Sequence, residues 1–135
     1  MSITYDITRN NIVKKVSGEW PKTKLPALRE SIRKWKWLVK TIREGKLPPR
    51  TYADTCALCV LYLILDAEEN KNCNGCPVRE KTKRHGCQGT PYFSYMDATY
   101  DNEFEKAVSA ANKEIKFLES LLPLSAIFFA PKTRA

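Results

Sequence analysis

Five cysteines lie between positions 56 and 87 of a 135-residue chain, and none lies elsewhere. Four form two C-x2-C pairs, Cys56-Ala-Leu-Cys59 and Cys73-Asn-Gly-Cys76, and Cys87 follows in Gly-Cys-Gln-Gly. A C-x2-C pair on one tight turn converges two thiolates on a point. Two such pairs supply the tetrahedron of sulfurs that a structural zinc requires. Thirteen residues separate the pairs, slightly fewer than the ~15–20 of zinc ribbons. Gly75 suits the left-handed backbone of a knuckle turn. Two ligand sets stay open: Cys56, Cys59, Cys73 and Cys76, or Cys73, Cys76 and Cys87 with one cysteine of the first pair. His85, the single histidine, stands two residues before Cys87 and is a substitute ligand, although its Lys-Arg-His-Gly setting is that of a solvated loop.

Two other chemistries compete for these thiols. An iron–sulfur cluster is the alternative cofactor. Cys76-Pro77 resembles ferredoxin runs, but gaps of two and thirteen residues do not match their spacing. A reactive dithiol is the second, since C-x2-C can lower a thiol pKa, yet neither pair sits in a thioredoxin-like βαβ context. A catalytic metal is not expected, because no Glu-near-His arrangement is present to act on a bound water. P-loop, nucleophile-elbow, zincin and glycine-rich cofactor motifs are all missing, so the chain reads as non-enzymatic and without a small-molecule substrate.

The elements that must position the block follow from periodicity. The fold class expected is mainly α, with α+β as the variant. It has two or three helices around a cysteine-rich metal-binding knuckle and a small N-terminal hairpin or strand. Length fits one domain, 1–135, with a metal-stapled segment 51–95. Ile3, Tyr5 and Ile7 alternate with polar residues, predicting a short strand; after a turn at Arg9-Asn-Asn11, 12–16 is either its hairpin partner or a helical turn. Gly18 to Pro26 reads as a loop. Leu28, Ile32, Trp35, Val39 and Ile42 recur at helical spacing and predict a helix over 27–44, with Pro26 in its first turn and Gly45 as its cap. A helix is preferred over a strand for 51–66, because Cys56 and Cys59 would then share a face. Lys81 to Gln88 reads as a basic loop. Phe104, Ala107, Val108, Ala111, Ile115, Leu118 and Leu122 predict a second long helix over 101–122, and 124–130 reads as a short apolar run able to add an edge strand. Of the aromatics after the block, Phe93 is expected in the core.

Charge is concentrated. Residues 22–50 hold ten basic and two acidic residues, which equals the net charge of +8 of the whole chain. One basic face and an acidic or polyanionic partner are expected from this. On a helical wheel Trp37 falls opposite the apolar stripe, among Arg33, Lys34 and Lys40. The candidate partner-binding residues are therefore Arg33, Lys36, Trp37 and Lys40, with Lys81, Lys83 and Arg84 on the loop before Cys87. The competing reading is that another segment, such as the C-terminal apolar run, covers Trp37. The N-terminus lacks the basic and apolar parts of a signal peptide, and no apolar run approaches the ~18 residues of a membrane span. A cytoplasmic protein without membrane contact is expected. There disulfides are disfavoured and paired C-x2-C units lean toward metal, and the odd cysteine count also fits a disulfide framework poorly.

The block Cys56-Ala-Leu-Cys59, Cys73-Asn-Gly-Cys76-Pro77-Val78, Gly86-Cys87 and Thr90-Pro91-Tyr92 resembles a group of small tailed-bacteriophage proteins that carry C-x2-C, C-x2-C-P and C-x-G-x-P-Y in this order. The resemblance covers about a third of the chain. It implies one metal-centred unit containing all five cysteines and the Thr-Pro-Tyr segment, made in the host bacterial cytoplasm, and it implies no activity. The function expected is a zinc-stapled binding protein acting on a host protein or protein–nucleic-acid complex. A direct nucleic-acid-binding zinc protein is the alternative, and an iron–sulfur or redox protein the second.

Overall fold

The computed structural model describes residues 2–64, 76–82 and 90–123. The chain is mainly α, with an N-terminal two-stranded antiparallel hairpin. The hairpin pairs β1 (Thr4–Ile7) with β2 (Val13–Ser17), Tyr5 facing Lys15 and Ile7 facing Val13. The alternation buries Ile3, Tyr5 and Val13. The reversal uses Asn11 at φ 61°, a left-handed position that Asn tolerates. Gly18, at φ 94°, is required on a second ground. A Cβ there would lie 2.7 Å from the Ile3 Cα.

Helix α1 (Lys24–Arg43) begins three residues before the expected start at Ala27. Pro26 is compatible with this, because the first α1 bond is Ala27 N–H to the Thr23 carbonyl, so the missing donor of Pro26 lay among the unpaired ones anyway. Gly45 ends the helix at φ 98°. The Pro48–Pro49 segment then runs back beside β2, with Val13 N–H to the Arg50 carbonyl at 2.8 Å and Asn11 Nδ2 to the Pro48 carbonyl at 3.0 Å.

The continuous helix expected over 51–66 is broken. A 3₁₀ turn (Ala53–Thr55) precedes Cys56, whose backbone is extended at φ −113°, ψ 114°. Helix α2 (Ala57–Cys59) starts only after it and passes into a π-helical stretch, Val60–Ile64. The cause is local side-chain competition. Thr51 and Thr55 hydroxyls bond each other at 3.0 Å, and Thr55 also donates to the Tyr52 carbonyl. The cap of α2 is Cys56.

Helix α3 (Pro77–Thr82) opens on Pro77 at the favourable first position, and it takes Lys81 out of the expected loop. Helix α4 (Tyr92–Tyr100) has no counterpart in the sequence reading, since its apolar residues do not keep one face. Within it Tyr95 is fully buried and Phe93 is 50 % exposed, the reverse of the expectation for Phe93. Asn102 at φ 51° turns the chain into α5 (Phe104–Glu119), which starts later and ends earlier than 101–122. Five helices rather than two or three are thus present among the described residues. The strand expected at 124–130 lies outside them.

The core is continuous from Ile3 to Leu118 and draws on the hairpin and on α1, α2, α4 and α5. Helices α1 and α4 both pack on α5, and Trp35 meets the Tyr95 ring edge-on at 5.0 Å. No helix among the described residues is long and apolar enough to cross a membrane.

Candidate metal centre

Cys56, Cys59 and Cys76 line one cavity of about 140 Å³ between α1, α2 and α5. The break before α2 sets the first thiol: with Cys56 as N-cap, its Sγ accepts the Cys59 N–H at 3.4 Å. Ser31 of α1 stands 4.0 Å from that sulfur and accepts the Leu58 N–H at 3.4 Å, tying α2 to α1. Cys76 is buried directly before α3.

The surroundings favour thiolate. Hydrogen bonding with the Cys59 thiol is the largest influence on Cys56, and burial opposes it. The charge of Lys34, the Cys59 N–H and the Ser31 hydroxyl add to the first, and together they bring the Cys56 thiol down to about 5. Thiolate is the metal-ligating form of cysteine, and soft sulfur donors select zinc or iron–sulfur. The donor chemistry therefore fits a thiophilic cation. Among the described residues, no group of three or more His, Cys, Asp or Glu side chains is placed to hold a metal ion. Cys73 and Cys87, the other expected ligands, lie outside the described residues, as do His85, Lys83 and Arg84.

Three residues of this cavity region were not marked out by the sequence. Lys34, grouped there with the polar face, is only 2 % exposed. Its Nζ donates to Thr51 Oγ1 at 3.0 Å and lies 5.0 Å from the Trp35 ring. Glu114 of α5 is also 2 % exposed. The Thr90 hydroxyl and the Tyr92 N–H bond to its carboxylate, while Oε1 has no partner. Burial first, then the Cys56 charge, pushes Glu114 up to about 7. Thr51 completes the set: its carbonyl accepts the Tyr92 hydroxyl at 2.7 Å. The Thr90-Pro91-Tyr92 segment is thereby bonded both to α5 and to the strand of chain leading to Cys56. Glu114 does continue Ala107 and Ala111 at helical steps, but a charged residue at such a step is not marked as buried by spacing alone.

The expected partner-binding residues divide. Arg33 grips Glu30 through Nε at 2.9 Å and Nη2 at 2.7 Å, bonds the Ile3 carbonyl and lies over the Tyr5 ring. Trp37 is half-buried with its ring 5.5 Å from Tyr5. The hairpin packs on it through Tyr5, and the C-terminal run lies outside the described residues. Lys36 and Lys40 line a groove with Arg43 and, from α5, Lys116. Lys36 reaches Glu119 across it at 3.4 Å. Lys81 is exposed on α3. Comparison with protein-family models, with curated proteins and with solved structures found no match.

Proposed function

We propose that the chain is a non-enzymatic binding protein stapled by a structural zinc on its cysteine block. It presents a basic surface to a host protein or protein–nucleic-acid complex, in keeping with the tailed-phage resemblance of the block. The observation that carries the metal half is the lining of one cavity by Cys56, Cys59 and Cys76, thiols contributed by two separate segments. Such convergence is what a structural metal exploits, and it would hold α2 and α3 together. The partner half rests on charge. Lys34 excepted, the cations of α1 are on its outer side, where Lys36, Lys40 and Arg43 border the groove shared with Lys116.

Elemental analysis of the purified protein tests the staple. About one zinc per chain and no colour is the expected result. A brown protein absorbing near 400 nm would move the centre to iron–sulfur, the alternative that the same thiols support. The partner reading is tested by capture from bacterial lysate with wild type and a Lys40→Glu/Arg43→Glu variant in parallel. One defined host protein retained by the first and lost by the second is expected. Direct binding to DNA or RNA with a steep salt dependence would instead favour the nucleic-acid reading.

A further inference from the structure

We propose that the trough between α1 and α5 is a docking groove for an acidic amphipathic helix of a partner protein, a role that rests on the basic-surface reading above and commits that surface to one kind of partner. Two adjoining depressions form the groove and share Arg43, Asn112 and Lys116. On α1 the lining residues Lys36, Val39, Lys40 and Arg43 recur at three- and four-residue steps. Their stripe is separate from the one that carries Leu28, Trp35 and Ile42 into the core. On α5 the lining runs from Phe104 to Glu119. That is about 22 Å of helix, room for about four turns of a partner. Every described residue of the lining belongs to these two helices or to Glu44 at the end of α1.

Floor and rim differ in chemistry. Val39 and Val108 are half-buried in the groove and Phe104 is 39 % exposed at one end, an apolar strip along the seam of the two helices. Lys40, Arg43, Lys113 and Lys116 stand exposed beside it and form no ion pair with any described residue. Lys36 is paired with Glu119 at 3.4 Å. An apolar strip between cations is complementary to a helix whose apolar face is flanked by Asp and Glu. A helix about 10 Å across also fits the trough that two packed helices leave. A nucleic-acid backbone fits less well. Glu44, Glu105 and Glu119 stand among the cations, so five positive groups face three carboxylates. A peptide can set its own carboxylates opposite the lysines and neutral residues opposite the glutamates, whereas a phosphate repeat cannot choose. Trp37, the α1 aromatic suited to stacking on bases, is half-buried against Tyr5 and lines neither depression.

The test measures binding of synthetic probes by fluorescence anisotropy. The probe is a peptide of about four helical turns, with leucines on one face and glutamates flanking them. Its controls are a scrambled peptide of the same composition, and single- and double-stranded DNA of matching charge. Wild type is expected to bind the helical peptide about tenfold or more tightly than the scramble, and more weakly as salt rises. Lys40→Glu/Arg43→Glu should lose about tenfold or more of that affinity. Lys22→Glu/Arg29→Glu, the same change of charge outside the groove, should stay near wild type. Phe104→Ser, which removes the exposed apolar end and leaves the rim charge intact, should also weaken binding. No binding of the helical peptide up to about 1 mM would overturn the proposal. Equal binding of the scramble, equal loss in the two charge variants, or tighter binding of DNA would do the same. A host protein captured by wild type, lost by Lys40→Glu/Arg43→Glu and fully retained by Phe104→Ser would sink the groove and leave the basic-surface reading standing. Specific peptide binding with no host protein captured would support the groove and sink the host-partner reading.

Discussion

Glu114 is the residue whose chemistry departs furthest from its position in the sequence. Burial on α5 and the neighbouring Cys56 charge push its carboxyl up to about 7 from an ordinary 4.5. In the unfolded chain the group ionises near 4.5, so raising the pH from about 4.5 to 7 favours unfolding through this residue. Below that window both states are protonated and it contributes nothing. Above it the loss is constant, on the order of 3 kcal/mol. Glu114→Gln should therefore be more stable than wild type at pH 8, and its advantage should shrink towards pH 4.5. Urea titrations of both proteins across that range read the difference. The lowered pKa of Cys56 acts on stability with the opposite sign between about 5 and 9 and is present in both proteins. At Cys56 itself, Cys56→Ser should lose bound zinc, checked by elemental analysis of the purified variant, because the hydroxyl is a poor replacement for thiolate on a soft cation.

Helix α1 has to serve two neighbours, and this is what decides the place of Trp37. One side of the helix, with Leu28, Trp35, Leu38 and Ile42, enters the core. The other meets the hairpin through Trp37 on Tyr5 and through Arg33 on Glu30 and the Ile3 carbonyl. Tyr5 closes this set by donating to Glu30 at 2.6 Å. Trp37→Ala should accordingly cost about 2–3 kcal/mol of stability, less than a fully buried tryptophan because the ring is half-covered. Chemical denaturation measures this, and a change under 0.5 kcal/mol, roughly the effect of a plain surface site, would show that the hairpin does not use the ring. The hairpin has its own constraint at Gly18, where φ 94° and the 2.7 Å approach to Ile3 leave no room for a methyl. Gly18→Ala should destabilise by more than about 1 kcal/mol in the same assay.

At the scale of the molecule, the thiol cavity lies where α1, α2 and α5 meet and where α4 begins, beneath a network running from Lys34 through Thr51 to Tyr92, beside the Thr90–Glu114 contact. Zinc bound there would couple these elements, since metal affinity for a folded site is folding free energy. Stripping zinc with a chelator should lower the melting temperature, and adding it back should restore the original value. A melting temperature indifferent to chelator would argue against a structural staple. The groove between α1 and α5 shares no lining residue with the thiol cavity, so Lys40→Glu/Arg43→Glu should leave zinc content and melting temperature near wild type.

The sequence alone determined the mainly α class, the first strand of the hairpin and the two long helices, because each is written in local spacing: period two, period 3.6, and Gly where the backbone turns left-handed. It also located the end of α1 at Gly45 for the same reason. Tertiary structure decided what local spacing cannot express. Helix α4 exists because Tyr95 is buried against Trp35 and bonds the Pro49 carbonyl at 2.5 Å, contacts made across more than forty residues. The break at Cys56 accompanies the Thr51–Thr55 hydroxyl pair, whose Thr51 also accepts from Lys34 of α1. Trp37 lost its exposed setting because a hairpin thirty residues upstream folds onto it. Lys34, grouped with the polar face, and Glu114, which the sequence did not single out, are buried groups beside the thiols, since burial is a property of what packs opposite a residue and not of the residue itself.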